Sequence, residues 1–340
     1  MDAVVAVRLK VLRLAVCSGL LSAMALCPRL WTSDRSFPTI SALPIGPLPS
    51  WLTLALTGGF VVSLLTVAIG KWQRESIILA LGTALLLVLF DVNRLQPWMF
   101  QYLLLLFALL AKPSLAWRYC GLIVACTYFW SGLQKVNLAF GNEIFPWLIS
   151  SSVGTPLLGL TAALLEGAIG VLLLVPRGRK VALAGAVVLH LFVLMLLGPL
   201  GHNFNAVVWP WNFCLPAISA ALFFRNDEPL FPEVLQRAVG RTLFVLVAVL
   251  PGLSLFGLWD DNLSSSLYSG RVRNALLKVP PGHDPDGIVD VTAWALEDLG
   301  VPPYPAIRVY RSLAQKIPGA KLFVSDRTLW GGAGKNFSVP

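Results

Sequence analysis

The sequence predicts an all-α polytopic membrane protein, with about nine transmembrane helices over residues 1–258 and a small C-terminal α/β tail over 259–340. Three observations carry this expectation. The 340 residues are 56% hydrophobic and only 13% charged, with a mean hydropathy of +0.74, outside the range of ordinary soluble chains. Apolar runs of roughly the twenty residues that cross a bilayer follow one another as far as Leu258. When those runs are taken as alternating crossings, the basic residues between them segregate to one side.

Arg8, Lys10 and Arg13 precede the apolar run Leu14 to Leu26, a pattern shared by a first spanning helix and a signal-peptide core. No A-x-A-type cleavage site follows cleanly, so a retained helix is expected. Pro, Ser and Gly crowd the stretch from Trp31 to Trp51, which reads as a long loop. Further spans are expected at 51–70, 76–91, 97–111, 115–134, 154–175, 181–200, 206–224 and 241–258. The run 97–111 is short for a crossing and would tilt or lie partly in the interface. GNEIFPWLISSSVGTP, from Gly141, is too polar and proline-rich for a regular span. It reads as a loop carrying an interfacial helix, or as a re-entrant piece that protein must surround. In the tail, RNALLKV and AKLFVSD read as strands, and DGIVDVTAWALEDLG and AIRVYRSLAQKI as helices.

Charge tests the count. One side receives Arg8, Lys10, Arg13, Lys71, Arg74, Lys112, Arg118, Arg177, Arg179, Lys180, Arg225, Arg237 and Arg241, thirteen in all, and the other receives four before the tail: Arg29, Arg35, Arg94 and Lys135. By the positive-inside rule the amino end is cytoplasmic and the tail from Trp259 exoplasmic, in a chain integral to a cell membrane. The formal charge of +9 is then a topology signal, and nucleic acid is excluded as a partner because no basic face is interleaved with aromatics. Five cysteines, Cys17, Cys27, Cys120, Cys126 and Cys214, lie in or beside apolar runs without a CxxC pair. Neither a disulfide framework nor a metal site is indicated. The Gly-Lys of the final GGAGKNFSVP lacks the spacing and following helix of a phosphate loop.

Polar residues left over from this balance gather at the expected outer ends of the spans: Asp91, Arg94, Gln96, Lys135, Asn137, His202, Asn205 and Asn212. Lys135 closes the ring-rich stretch YFWSGLQKVNLAF. An ammonium at that depth must snorkel, find a partner or give up its proton, so Lys135 is either an interfacial helix cap or a base. Glu166, deep in LTAALLEGAIGVLLLV, must be protonated, paired or beside a wet cavity. His190, in AVVLHLFVLMLL, can stay neutral and hydrogen-bond between helices. GHNFNAVVWPWNF, from Gly201, carries His202, Asn205, Trp209 and Asn212. Tryptophans there fit an interfacial belt, whereas the amides suggest a polar pocket. Asp91 and Arg94 fit a local salt bridge at a helix end, or a site.

In these residues the chain resembles the horizontally transferred transmembrane domain family, whose best-studied members are the vitamin K-dependent gamma-glutamyl carboxylases. The resemblance rests on YFWSGLQKVN, DVNRLQPW, the Glu166 span, the His190 to Phe213 region and the exit WDDNLSSSLYSG, and covers roughly residues 10 to 270. It implies that Lys135 deprotonates reduced vitamin K on the lumenal side, giving after oxygenation a base that removes a glutamate γ-proton so that the carbanion takes up CO2. Arg94 stands where the family has a histidine, Gln134 replaces a second lysine, and the large lumenal domain that holds a protein substrate is missing, which argues against a peptide substrate. The expected function is an outward-facing site for a quinol-like, lipid-soluble molecule, such as a reduced quinone, with Lys135 as base and His202 and Glu166 as catalytic partners. Asp91, Arg94, Gln96, Trp130, Asn137, His190, Asn205, Trp209 and Asn212 are the candidate substrate-binding residues. The alternative is a non-enzymatic scaffold or lipid-binding component whose tail, 259–340, engages an exported protein. The sequons at Asn262 and Asn336 offer a test of which side the tail occupies.

Overall fold

The computed structural model describes residues 3–151, 155–280, 287–325 and 337–339. It is mostly helical. In chain order the helices of the bundle are α1 (Ala3–Leu26), α2 (Ser50–Ile69), α3 (Gln73–Phe90), α4 (Pro97–Ala108), α5 (Pro113–Gln134), α6 (Phe145–Ile149), α7 (Thr155–Leu174), α8 (Arg179–Leu197), α9 (Val208–Phe223), α10 (Phe231–Gln236), α11 (Ala238–Phe244) and α12 (Leu250–Leu253). A π turn, Val245–Val249, joins α11 to α12 in one apolar rod. Five segments are long and apolar enough to cross a membrane: Ser50–Ile69, Gln73–Phe90, Pro156–Leu174, Pro176–Leu197 and Ala238–Phe256. Helices α4 and α9 are apolar but shorter. The first helix starts well before the apolar run, so that Arg8, Lys10 and Arg13 lie within it.

Breaks fall where the chemistry demands them. Gly70 ends α2 at φ +85°, prolines open α4 and α5 at their first turns, and Pro176–Gly178 form the tight turn between α7 and α8. The segment after Lys135 is a π turn, Phe140–Ile144, running into α6, so the polar stretch from Gly141 is helical as far as Ile149. Its residues 152–154 lie outside the described residues.

Helix α5 is the axis of the bundle. Residues 116–126 are buried on every face, whereas α2, α7 and α8 each turn a row of Leu and Val outward. A helix apolar all round is buried, and one apolar outward in this company is compatible with facing lipid. Helix α5 packs on α7, α7 on α8, α8 on α9, α9 on α1, and α2 on α3.

Arginines staple one end of the bundle. Arg8 donates to the carbonyls of Phe224 and Arg225, Arg118 pairs with Glu228 and Glu233 at 2.6 and 2.9 Å, and Arg179 donates to Glu228 O at 2.9 Å. At the other end Asp91 is the hub. It pairs with Arg35, accepts from Asn93 Nδ2 at 3.0 Å and lies 3.9 Å from Arg94, which itself donates to Leu30 O and Leu87 O. Burial pushes the Arg94 guanidinium down to about 10 against the pull of Asp91, so it stays charged at neutral pH.

The tail docks on that hub. It comprises β1 (Asn274–Lys278), β2 (Ile288–Asp290), α13 (Val291–Leu299), α14 (Ile307–Gln315), β3 (Lys321–Ser325) and β4 (Phe337–Val339) in an antiparallel sheet of order β2-β1-β3-β4. Both strands read from the sequence lie where expected. Strand β2 is a correction: Ile288–Asp290 pair with β1, and the helix begins only where the Asp290 carboxylate accepts from the Thr292 and Ala293 amides. The tail's apolar core is continuous with that of the bundle. Polar contacts seal the joint: Gln96 donates to Pro302 O, Tyr304 N to Asn93 Oδ1, and Asp298 accepts from Phe37 N at 2.6 Å and Arg29 at 2.7 Å.

Burial would raise the Asp298 carboxyl, but its bonds to the Phe37 amide, Arg29 and Ser36 outweigh that and hold it below the usual carboxylate value. A carboxyl depressed in the fold stabilises at pH above its unfolded value, and that contribution is lost as pH falls through the folded value. Asp298→Ala is expected to leave the buried Phe37 N–H unpaired and to weaken docking by about 1–3 kcal/mol at pH 7. Limited proteolysis of the tail should show wild type loosening as pH falls below about 4, toward the variant's behaviour.

Candidate functional site

On α5, Tyr128, Ser131 and Lys135 stand at spacings of three and four residues and share one face. That face meets α7 at a contact only glycine permits. A Cβ on Gly132 would lie 2.2 Å from Gly167 N and 2.5 Å from Ala163 O, and one on Gly170 would lie 2.5 Å from Ala125 O and Phe129 N. With the backbones that close, the side chains flanking the contact must meet. Lys135 Nζ donates to Glu166 Oε2 at 2.7 Å and to Ser131 Oγ at 2.8 Å, and both charged side chains are 13% exposed. Of the fates open to each charge, the structure gives pairing to both.

A second polar row crosses from α5 to α8 and α9. Tyr128 OH lies 2.7 Å from His190 Nε2, and His190 Nδ1 lies 2.8 Å from Asn212 Oδ1. Asn212 spends its amide N–H on Val208 O at 2.9 Å, so its oxygen faces the ring. Nδ1 therefore carries the proton and donates, and Nε2 accepts from the tyrosine. In the neutral ring these two partners select a single tautomer.

Both rows open on one cavity of about 130 Å³. Its walls are apolar, with Phe140, Phe145, Leu148, Leu189, Phe192 and Leu215 among them, and Lys135, Glu166, Ser131, Tyr128, His190 and Asn212 supply the polar spots. Trp211 and Tyr268 complete the lining; Trp211 donates to Gln101 and Tyr268 accepts from Asn205 Nδ2 at 2.8 Å. Burial, the larger influence, pushes the Tyr268 phenol up against the Asn205 bond, so it remains a hydroxyl. Among the described residues no cluster of three His, Cys, Asp or Glu side chains is placed to hold a metal ion.

The structure brings Lys135, Glu166, His190 and Asn212 together and leaves the other expected residues elsewhere. His202 stacks on Trp147 with centroids 4.6 Å apart, and its Nε2 meets Leu148 O at 3.1 Å, a contact only a ring N–H can make. It does not line the cavity, and packs beside Leu148, which does. Asp91, Arg94 and Gln96 belong to the docking hub of the tail, because their polar atoms are used on loop and tail backbone. Trp130 donates to Ala248 O and packs on Gly252, Trp209 donates to Leu197 O, and Asn137 ties Gln134 O to Ser269 O. None of these three lines the cavity. Gln134 turns away to Pro251 O and Ser254.

Sequence reasoning missed Tyr128, Ser131 and Tyr268. The first two were detectable from their spacing to Lys135, whereas Tyr268 enters from the strap after the last span, which carries no periodic signal. The chain matches no protein-family model, and neither a curated protein nor a solved structure is detectably similar to it.

Gly132→Val is expected to force α5 from α7 and separate the ion pair, lowering stability by about 1–3 kcal/mol or more in a thermal melt of the purified protein. Gly58→Ala, where a Cβ meets nothing within 4 Å, is the control and should melt at or above wild type.

Proposed function

We propose that the cavity binds a lipid-soluble molecule bearing a weakly acidic hydroxyl, a quinol being the type that fits, and that the Lys135–Glu166 pair takes the proton of that hydroxyl. One observation carries the reading: two polar rows converge on a single apolar cavity, an arrangement of greasy walls with a few placed polar groups that suits a ring with oxygens at its edge. The two groups stand 2.7 Å apart, close enough for one proton to pass between them. With that proton on Glu166, the Lys135 amine is the base, and the proton it accepts leaves an ammonium beside the new oxyanion. Tyr128, polarised by neutral His190 and fixed through Asn212, orients the opposite edge of the ligand. A quinol bound here would supply the O–H for that transfer.

This reading places the chain in the carboxylase-like family suggested by the sequence motifs. It also takes α1, α4, α5 and α9 as crossings beside the five long apolar segments, which gives nine, with the amino end cytoplasmic and the tail exoplasmic. Support comes from the loop charges and from the arginine staples lying at the end opposite Lys135. A second reading, a lipid-binding scaffold without turnover, draws on the engagement of Lys135 and His190 within the protein itself.

Two measurements test these readings. Extraction of purified protein is expected to yield an isoprenoid quinone identifiable by mass, and Lys135→Gln/Glu166→Gln, which removes both charges together, should melt near wild type yet lose it. Lys135→Arg keeps an ion pair without a usable base, so retained ligand with lost proton transfer supports the enzyme, and unaltered behaviour throughout supports the scaffold.

Topology is read by thiol labelling, since the native cysteines are all buried. An impermeant reagent on intact cells should label Gln315→Cys and spare Arg177→Cys; the reverse pattern overturns the orientation. The sequons serve less well, because Asn262 is buried and donates to Leu95 O, and Asn336 lies outside the described residues.

A further inference from the structure

A second cavity, about 330 Å³, lies at the arginine-stapled end of the bundle between α1, the start of α3 and the turn from α4 to α5. Lys10, Arg13 and Arg74 line it together with Gln73, Ile77 and Leu109. Three cations converge here. None of them forms an ion pair with a carboxylate among the described residues.

Topology explains why basic residues occur at this end, but not why three share one concavity without an acid. Like charges brought together repel, and the repulsion is relieved by an anion between them. Arg13 is held in place for this: its guanidinium lies over Gly70, where a Cβ would come within 2.8 Å of it, and donates to Gln73 Oε1 at 3.1 Å. Its Nε is buried without a partner. The cavity floor is apolar, and Trp72, exposed at the adjoining turn with φ +39°, stands where an interfacial tryptophan meets headgroups.

We propose that this cavity is a phosphate-anion site whose occupant in the membrane is the headgroup of an anionic phospholipid, its phosphate among Lys10, Arg13 and Arg74 and its glycerol against Ile77 and Leu109. Basic pockets between transmembrane helices take such headgroups, each cation adding to the attraction. The inference stands apart from the Lys135 cavity and does not need that reading.

The full chain is reconstituted in nanodiscs of phosphatidylcholine, with phosphatidylglycerol or with inorganic phosphate added, and followed by thermal melting and by native mass spectrometry of retained lipid. Phosphatidylglycerol is expected to raise the melting point and to remain bound. Lys10→Gln/Arg74→Gln should weaken its retention about tenfold while melting like wild type in phosphatidylcholine alone. Arg177→Gln/Lys180→Gln removes the same charge elsewhere and should retain the lipid. Arg74→Gln alone, at an exposed position, serves if the double variant does not fold. Protection by inorganic phosphate that depends on Lys10 and Arg74 supports the phosphate site and makes free phosphate its source. Undiminished phosphatidylglycerol retention in both the double variant and Arg74→Gln overturns the proposal, as does equal loss in the Arg177/Lys180 control.

Discussion

A charge buried among apolar helices has little water to turn to, and the site is arranged around the answer to that constraint: Lys135 and Glu166 held 2.7 Å apart. Neither residue would be tolerable there alone. Their meeting depends on two helices whose backbones touch, and the backbones touch because Gly132 and Gly170 carry no side chain. The site is thus a product of close packing as much as of its polar residues. The same logic governs His190, whose ring is satisfied on both nitrogens by Tyr128 and Asn212 from neighbouring helices.

The two ends of the bundle solve different problems. At one, Arg8, Arg118 and Arg179 capture the carbonyls and carboxylates of residues 224–233 and fix the entry to α11. At the other, Asp91 gathers Arg35 and Arg94, and that buried cluster becomes the surface on which the tail seats Tyr304 and Pro302. A buried ion cluster contributes little net stability by itself, but it fixes one geometry, because any shift would strand a charge.

Much of this was legible in the chain. The apolar runs mark α2, α3, α7 and α8 because a lipid-facing helix needs little else, and the alternation in RNALLKV and AKLFVSD marks the strands that became β1 and β3. Lys135, Glu166, His190 and Asn212 stood out as polar residues with apolar neighbours. What the sequence withheld was who meets whom. Lys135 and Glu166 are 31 positions apart, and their registry is set by glycine contacts that look like any other small residues in an apolar helix. Asp91, Arg94 and Gln96 are ambiguous in sequence for a related reason: a polar residue at a helix end has the same local signature whether it faces a ligand or a docked tail, and here they sit at the joint with the tail. His202 beside Trp147 carries the same ambiguity, and in the fold its ring nitrogen meets the Leu148 carbonyl.

Tyr268 is part of the wall around Lys135, yet it belongs to the strap that leads directly into β1. That strap packs closely at Gly270, whose φ of +77° strains any side chain and whose contact with Ala139 and Phe140 leaves little space for one. The chamber inside the bundle and the folded unit outside it are therefore joined by a short packed segment. Whatever grips the sheet from outside also holds one side of the chamber, and trimming the tail would open its wall.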